Sequence, residues 1–214
     1  MTEKNRKTQN TRCLSATAET GQKRKRGEIT REEIIDAAFE ELRENGWQKW
    51  NARSIAKRVG CSTMPLFRLF SGMDEIKSAV VQKALCRYGE YIAEGMQEPL
   101  AYRGSGKAYI RFAREEPHLF KALCATKEFT GASFAALDPT IDSVLAAAAK
   151  YGEVDDGTAK RLHACMTVFC HGAAVMAATG ADIVPERYFD ELMGDVFRAL
   201  RQYYKAADDK GGEN

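Results

Sequence analysis

The sequence predicts an all-α protein, and three observations lead to that prediction. From about residue 31 onward, apolar residues recur at steps of three and four, which is the spacing of a helix that buries one face. No segment shows a competing strand pattern of alternating apolar and polar residues. Capping residues, glycines and prolines separate the periodic segments at intervals that suit helices.

Length and composition predict a folded protein with one or two domains. The chain has 214 residues, of which 44% are hydrophobic and 29% charged, with only 5 prolines, and this balance excludes a disordered or fibrous chain. We find no apolar run of membrane-spanning length and no signal peptide, so we expect a cytoplasmic protein with no membrane partner.

The first 27 residues form a basic arm. They contain eight Lys or Arg against Glu3 and Glu19, a net charge of +6, so the rest of a chain of net charge +2 carries −4. We expect residues 1–27 to be disordered when free and to bind a polyanion, because lysine and arginine release counterions from phosphates. A solubilising tail is the alternative.

The first helix is predicted to begin at Thr30 and to be structural. Thr30 and Glu33 have the spacing of a capping box, in which each side chain accepts a hydrogen bond from the other residue's amide. Apolar residues from Ile34 to Leu42 form one buried stripe, and Asn45-Gly46 is expected to end the helix.

Two short helices separated by a glycine turn are predicted next. The second helix is expected from an N-cap at Asn51 to Val59, with Gly60 ending it. Ser62 is expected to cap a third helix over 63–70. This arrangement is the geometry of a DNA-reading helix-turn-helix.

The charge of this segment favours nucleic acid over an ordinary pair of helices. Between Glu44 and Asp74 there is no acidic residue. A solvated helical hairpin usually mixes the two signs of charge. The segment instead contains five basic residues: Lys49, Arg53, Lys57, Arg58 and Arg68.

The stretch over 51–70 reads NARSIAKRVGCSTMPLFRLF and resembles the helix-turn-helix signature of the TetR family of transcriptional regulators. The resemblance covers about residues 28–80. It implies a DNA-binding domain over 28–75, a helical effector-binding and dimerisation domain over 76–207 and a flexible tail over 208–214. It also implies a repressor that binds a palindromic operator as a homodimer and is released by a small effector.

The resemblance implies DNA contacts position by position. On the two short helices these are Asn51, Ala52, Arg53, Ser62, Thr63, Met64, Phe67 and Arg68. Arg68 is the candidate for reading a guanine with two hydrogen bonds, with a phosphate contact as the alternative.

The chain departs from the family pattern at three positions. Phe67 replaces a tyrosine, Leu69 a common histidine and Met73 a frequent phosphate-binding lysine. We expect the arm to supply replacement contacts to phosphates or to the minor groove, through Lys23, Arg24, Lys25 and Arg26.

A fourth helix is predicted from about Met73 to Met96 and links the two domains. By resemblance, this helix moves when effector binds and changes the separation of the two DNA-binding heads. Heads that contact successive major grooves must lie about 34 Å apart, so a small rotation prevents both from binding.

Five further helices are predicted, broken at Pro99, Pro117, Asp138-Pro139, 152–157 and 180–185. The helix over 158–179 is apolar almost all round, and the helix after Pro185 has a wide apolar face. We expect these two helices to form a four-helix dimer interface, with a single thick core in a monomer as the alternative. The predicted interface residues are Val168, Ala173, Met176, Phe189, Met193, Val196, Phe197 and Leu200.

The middle helices supply aromatic and flexible apolar side chains that suit an effector pocket. Candidate lining residues are Tyr109, Phe112, His118, Phe120, Phe129, Phe134, Met166 and Phe169. Any of them could instead belong to the core. We expect an apolar or aromatic effector.

Other classes of function are less well supported. His163, Cys170 and His171 spread over about two helical turns, roughly 11 Å, so one ion cannot join them and we expect no metal or other cofactor. The six cysteines lack a paired spacing, and we expect thiols that are mostly buried. Cys61 lies in the glycine turn, which leaves a redox-responsive DNA-binding regulator as an alternative function.

No pattern of catalytic residues is present. The chain has neither a glycine-rich phosphate loop nor a nucleophile elbow, and only 3 histidines. We therefore expect no enzymatic activity. An architectural DNA-binding protein, which would bind without a palindrome or an effector, is a further alternative.

Overall fold

The computed structural model describes residues 29–127, 133–181 and 184–211. The basic arm over 1–27 and Phe129 lie outside these ranges. Regular structure within them is helical and includes no strand, which confirms the all-α prediction. The helices are α1 (Arg31–Lys49), α2 (Ala52–Val59), α3 (Met64–Leu69), α4 (Met73–Gly95), α5 (Ala101–Glu115), α6 (Pro117–Cys124), α7 (Phe134–Leu137), α8 (Ile141–Gly152), α9 (Asp156–Thr179) and α10 (Phe189–Gly211).

These helices belong to two compact units. The first contains the residues up to Arg87 together with His118–Pro139, and the second contains Tyr88–Pro117 and the chain from Thr140 onward. Helix α4 contributes to both, because the division falls inside it. The units therefore do not divide at the boundary between 75 and 76 that we expected for the domains, and a segment after Pro117 joins the helix-turn-helix.

Helix α1 begins as the sequence predicts. Thr30 Oγ1 accepts from the amide of Glu33 at 3.2 Å, and a Glu33 carboxylate oxygen accepts from the amide of Thr30 at 3.0 Å. The regular helix is interrupted at Gly46, where φ is +68°, but a last turn continues to Lys49. The predicted stop at Gly46 is therefore a kink.

The cap of α2 agrees with the prediction, but the cap of α3 does not. Asn51 caps α2, and Gly60 ends it with a left-handed φ of +81°. At α3 the N-cap position is Thr63 and no side chain makes a capping hydrogen bond. The prediction that Ser62 caps this helix is therefore wrong.

In the second unit, α9 packs against α5, α8 and α10. Its buried face includes Leu162 and Ala174, each 0% exposed. Helices α4 and α5 approach closely, because a side-chain carbon added at Gly95 would collide with the carbonyl oxygen of Gly104. Such a crossing requires glycine on both helices.

The C-terminal helices differ from the prediction in two places. The segment over 117–137, expected to be one helix, contains α6 and the short α7 separately. Helix α10, which follows a 3₁₀ turn at Glu186–Tyr188, runs to Gly211 and so enters the expected tail over 208–214.

Helix α9 has the length and composition of a membrane span. Among the described helices it alone meets this criterion, with 24 residues and a mean hydropathy of 1.4 in its most apolar window. The prediction that no apolar run reaches membrane-spanning length is therefore wrong for this helix. A core helix of a globular protein meets the same criterion, and α9 buries one face against three neighbouring helices.

Candidate nucleic-acid interface

The helix-turn-helix buries a small apolar core and leaves its other side chains at the surface. Ile55 of α2 and Leu66 of α3 are each 0% exposed, and Phe70 after α3 is 2% exposed. Leu66 and Phe70 are four residues apart and so lie on one side of α3, and this side packs in the same core as Ile55. The side chains of Phe67 and Arg68, which lie between Leu66 and Phe70, are exposed.

Helix α3 exposes two large apolar side chains. Met64 is 76% exposed and Phe67 is 52% exposed. Ser62 and Arg68 are exposed as well, and Thr63 is half-buried. Every predicted contact residue on this segment is accessible to a partner.

Four of the five basic residues have no acidic partner. Among the described residues, Lys49, Arg53, Lys57 and Arg68 are exposed and make no ion pair. Unpaired cations on one surface create a positive potential that attracts a polyanion.

Arg58 is different because it holds α2 on α1. Its Nε lies 3.0 Å from a carboxylate oxygen of the buried Glu41, and it also pairs with Glu44. The hydrogen bond to Glu44 is the largest of the effects that raise the pKa of Arg58. Arg58 is a structural cation, although the sequence pattern grouped it with the others.

The N-terminus of α2 is closed by its own cap. Asn51 Oδ1 accepts from the amides of Arg53 and Ser54 at 3.0 and 3.1 Å, and Asn51 Nδ2 donates to the carbonyl of Lys49 at 3.0 Å. The Asn51 amide is itself bonded to Ser54 Oγ. The side chain of Asn51 therefore positions the helix, and among the described residues the donors at this helix start that remain open to a ligand are the Ala52 amide and the Arg53 guanidinium.

The end of α3 is anchored by a contact that sequence reasoning missed. The Arg31 guanidinium donates to the carbonyl of Leu69 and to Glu75, the latter at 2.5 Å, and lies 4.0 Å from the centre of the Phe70 ring. Arg31 and Glu75 are 44 residues apart, so no local pattern could have paired them.

Glu75 is held as a carboxylate by three donors. The amide and the hydroxyl of Ser71 donate to it at 2.7 and 2.9 Å, in addition to Arg31. The amide of Ser71 first, and then Arg31, lower the pKa of Glu75 to about 2. This contact links the ends of α1, α3 and α4.

The structure does not bring the predicted effector residues together in one unit. His118, Phe120 and Phe134 belong to the first unit, whereas Tyr109, Phe112, Met166 and Phe169 belong to the second. His118 packs on the kink of α1, where a side-chain carbon at Gly46 would lie 2.8 Å from its Nδ1. His118 therefore stabilises the helix-turn-helix unit.

The second unit contains a pocket that sequence reasoning missed. It has a volume of about 390 Å³ and lies between the end of α4, α5 and the start of α10. Ala108, Phe189 and Met193 supply apolar surface, and ion pairs such as Lys107–Glu98, at 2.9 Å, stand at its wall.

Three predicted interface residues are buried within the chain itself. Ala173, Met193 and Phe197 are 2%, 4% and 5% exposed, so they pack in the core of the second unit and cannot face a partner. The other predicted residues remain accessible. Val168 is 75% exposed, and the rest are half-buried: Met176, Phe189, Val196 and Leu200.

Five cysteines lie in the described part of the chain, and four of them are free thiols. Cys61, Cys124, Cys165 and Cys170 are free, and of these only Cys170 is buried, which corrects the expectation of mostly buried thiols. Cys86 is disulfide-bonded and so is not a thiol. Burial raises the pKa of Cys170 to about 12, which opposes thiolate chemistry.

No cluster of three metal-ligating side chains occurs among the residues the structure describes. His163 and His171 are instead hydrogen-bonded to tyrosines of α5, with their Nδ1 atoms 3.2 and 2.9 Å from the hydroxyls of Tyr102 and Tyr109 respectively.

Comparison with known families identifies the C-terminal part of the chain. Residues 102–196 match the family of tetracyclin repressor-like C-terminal domains. This match covers most of the second unit and lies outside the helix-turn-helix segment that carries the sequence resemblance, so the two findings are independent. A search of curated proteins finds no match to the chain.

Proposed function

We propose that this chain is a repressor of the TetR family, to whose C-terminal domains residues 102–196 are similar, and that it binds a palindromic operator as a homodimer and releases it when a small molecule binds. The observation that carries the DNA-binding proposal is the surface of α2 and α3, where Arg53, Lys57 and Arg68 are exposed and unpaired among residues that include no acid. We propose that this surface enters the major groove.

The proposed contacts divide by chemistry. Arg53 and Lys57 bind phosphates, because they lie on α2 beside the recognition helix. Arg68 of α3 reads a base edge, since a guanidinium can donate two hydrogen bonds to guanine. Ser62 and Thr63 lie at the start of α3, within reach of phosphate. The arm residues Lys23 to Arg26, outside the described ranges, add further phosphate contacts.

Homodimerisation is proposed through the exposed stripe of α9 and the adjoining face of α10. Ala164, Val168, Gly172 and Val175 lie at helical spacing and are all exposed. A side-chain carbon added at Gly172 would meet no atom within 4 Å, so this stripe is open. Small residues allow a second helix to approach closely, and Val168 and Val175 supply the apolar area that a dimer buries.

Effector binding is proposed for the pocket of the second unit. Its volume of about 390 Å³ falls within the usual range for small-molecule sites. The mixture of apolar residues and charged residues suits a ligand with an apolar body and a polar group. Such a ligand releases DNA only if it binds one conformation of the repressor more tightly than the other.

The alternatives have weaker support. A redox-responsive regulator would depend on Cys61, which is a half-buried thiol in the glycine turn with no activating partner among the described residues. An architectural DNA-binding protein would have no use for a pocket. Regulators of this family are generally non-enzymatic, and we propose the same for this chain, together with a cytoplasmic location beside its DNA.

The test is selection of bound sequences by the purified full chain from a random duplex pool, repeated at higher salt to remove non-specific binding. We expect a palindrome with half-sites one helical turn apart or a multiple of that distance. Recovery of DNA without any common sequence would overturn the operator proposal and favour architectural binding. Once the operator is known, a panel of amphipathic compounds can be tested for release of the operator and for an increase in Tm.

A further inference from the structure

Met64 and Phe67 form an exposed apolar pair in the middle of a positively charged surface. They are three residues apart on α3, so they lie on the same side of the helix. Their exposures are 76% and 52%, the highest of the large apolar side chains that the structure describes in the first unit. Arg68 is adjacent in sequence, and Arg68, Arg53 and Lys57 make no ion pair with any residue that the structure describes.

We infer that α3 reads the C5-methyl groups of thymines in the operator through Met64 and Phe67. This inference rests on the proposed function and specifies the bases that the recognition helix selects. It assigns to these two residues the selection of A·T pairs within each half-site, which goes beyond the contact to DNA already expected of them.

The chemistry of the groove supports this choice. The thymine methyl is the one apolar group that unmodified B-DNA presents in its major groove, and the other base-edge groups there are hydrogen-bond donors or acceptors. Phe67 has no hydrogen-bonding group, and the thioether of Met64 is only a weak acceptor. Placed against any other base edge, these side chains would desolvate polar groups without replacing their hydrogen bonds.

The charge around the pair selects DNA over another apolar surface as its partner. Unpaired Lys49, Arg53, Lys57 and Arg68 would each have to lose hydration against an uncharged protein face, whereas phosphates supply the opposite charge. An apolar pair flanked by cations therefore matches a groove whose edges are phosphates and whose floor carries methyl groups.

The neighbouring residues explain why the pair is not part of the core. Leu66 and Phe70 point inward and are 0% and 2% exposed, so the core of the unit is filled without Met64 and Phe67. Removing either exposed side chain should therefore leave folding intact, which makes the inference accessible to mutation.

The experiment uses the selected operator with deoxyuridine in place of single thymines, which removes one methyl group and keeps base pairing. We expect at least one position per half-site where this change weakens binding of the full chain roughly four-fold, the effect of one buried methyl-sized group. Met64→Ala or Phe67→Ala should abolish the difference between thymine and uracil at the position that the residue reads. Tm should stay within the error of the wild-type value for both variants.

Lys57→Ala is the matched control. It lies on the same surface but contacts phosphate in the proposal, so it should weaken binding to the thymine and uracil operators by the same factor. The ratio of the two affinities would stay as in the wild type.

Three outcomes would overturn the inference or its premise, and they are distinguishable. Equal binding of thymine and uracil operators would overturn methyl reading while leaving the repressor proposal intact. A uracil effect that persists unchanged in both alanine variants would show that the methyl acts through DNA shape. Failure to select any sequence would instead contradict the proposed function itself.

Discussion

Helices α3 and α9 both expose apolar side chains, but the first lies in a basic segment and the second is almost free of charge. On α3, Met64 and Phe67 stand among five basic residues in a segment free of acids, whereas α9 carries no Lys, Arg, Asp or Glu after Arg161. Val168 on α9 is nevertheless as exposed as Met64, at 75% against 76%. Exposure alone does not identify a partner, and the surrounding charge separates a surface for DNA from a surface for a second copy of the chain.

The neutral surface should be the more sensitive of the two to a charge. Val168→Asp would place a carboxylate, unpaired and repeated by symmetry, in the proposed dimer interface, where leaving it buried costs several kcal/mol. We expect a monomer in analytical ultracentrifugation at micromolar concentration and loss of operator binding. Leu100→Asp, at a residue 40% exposed that is not among the proposed interface residues, is the control and should stay dimeric. A dimeric Val168→Asp variant would remove this face from the interface.

The cationic surface should respond through salt dependence. The double variant Arg53→Ala, Lys57→Ala removes two proposed phosphate contacts from each protomer and four from the dimer, so the slope of log K against log salt should become shallower by about 3.6. Arg58→Ala removes a cation that is already paired with Glu41 and Glu44, so the slope should stay unchanged while Tm falls. An unchanged slope in the double variant would contradict the phosphate assignments.

Base reading by Arg68 should have a smaller effect on affinity than the loss of the dimer. Arg68→Ala should weaken binding to the selected operator by about 1–3 kcal/mol per half-site and relax the preference at one base pair in each half-site. Repeating the selection with the variant measures this directly. A uniform loss of affinity with the same selected sequence would assign Arg68 to phosphate.

The anchor behind α3 should give the smallest effect, and one that depends on pH. The pKa of Glu75 falls from an ordinary 4.5 to about 2 in the folded protein, so its contribution to stability is present above about pH 4.5 and is lost as pH falls toward 2. Glu75→Gln should therefore lower Tm at pH 7, and the difference from the wild type should shrink on acidification over that range. A difference independent of pH would contradict this role for the charge.

The sequence alone predicted only part of the contrast between the two surfaces. The acid-free basic segment and the apolar helix over 158–179 could both be read along the chain, because charge and hydropathy are properties of single residues. The sequence did not predict which apolar residues remain exposed, because exposure depends on how the helices pack. Ala173, Met193 and Phe197 were expected at the interface with Val168, yet they pack inside the unit.

Local order followed from the sequence because its causes are short-range. The Thr30 and Asn51 caps and the left-handed Gly60 depend on hydrogen bonds and backbone freedom within four residues, and all three were predicted correctly. Met64, Phe67 and Arg68 were likewise exposed as predicted, whereas Thr63 is half-buried, because Leu66 and Phe70, four apart on a short helix, share the buried face.

By itself, the sequence determined the helices, most of their caps, the basic helix-turn-helix and the family resemblance that the C-terminal match independently supports. Only the tertiary structure decided that Arg58 is a paired cation, that His118 packs on Gly46, and that Arg31 and Glu75 anchor α3. The physical reason is the separation along the chain. Residues 17 or 44 positions apart come into contact only when packing brings their helices together, and no local sequence pattern predicts such a contact.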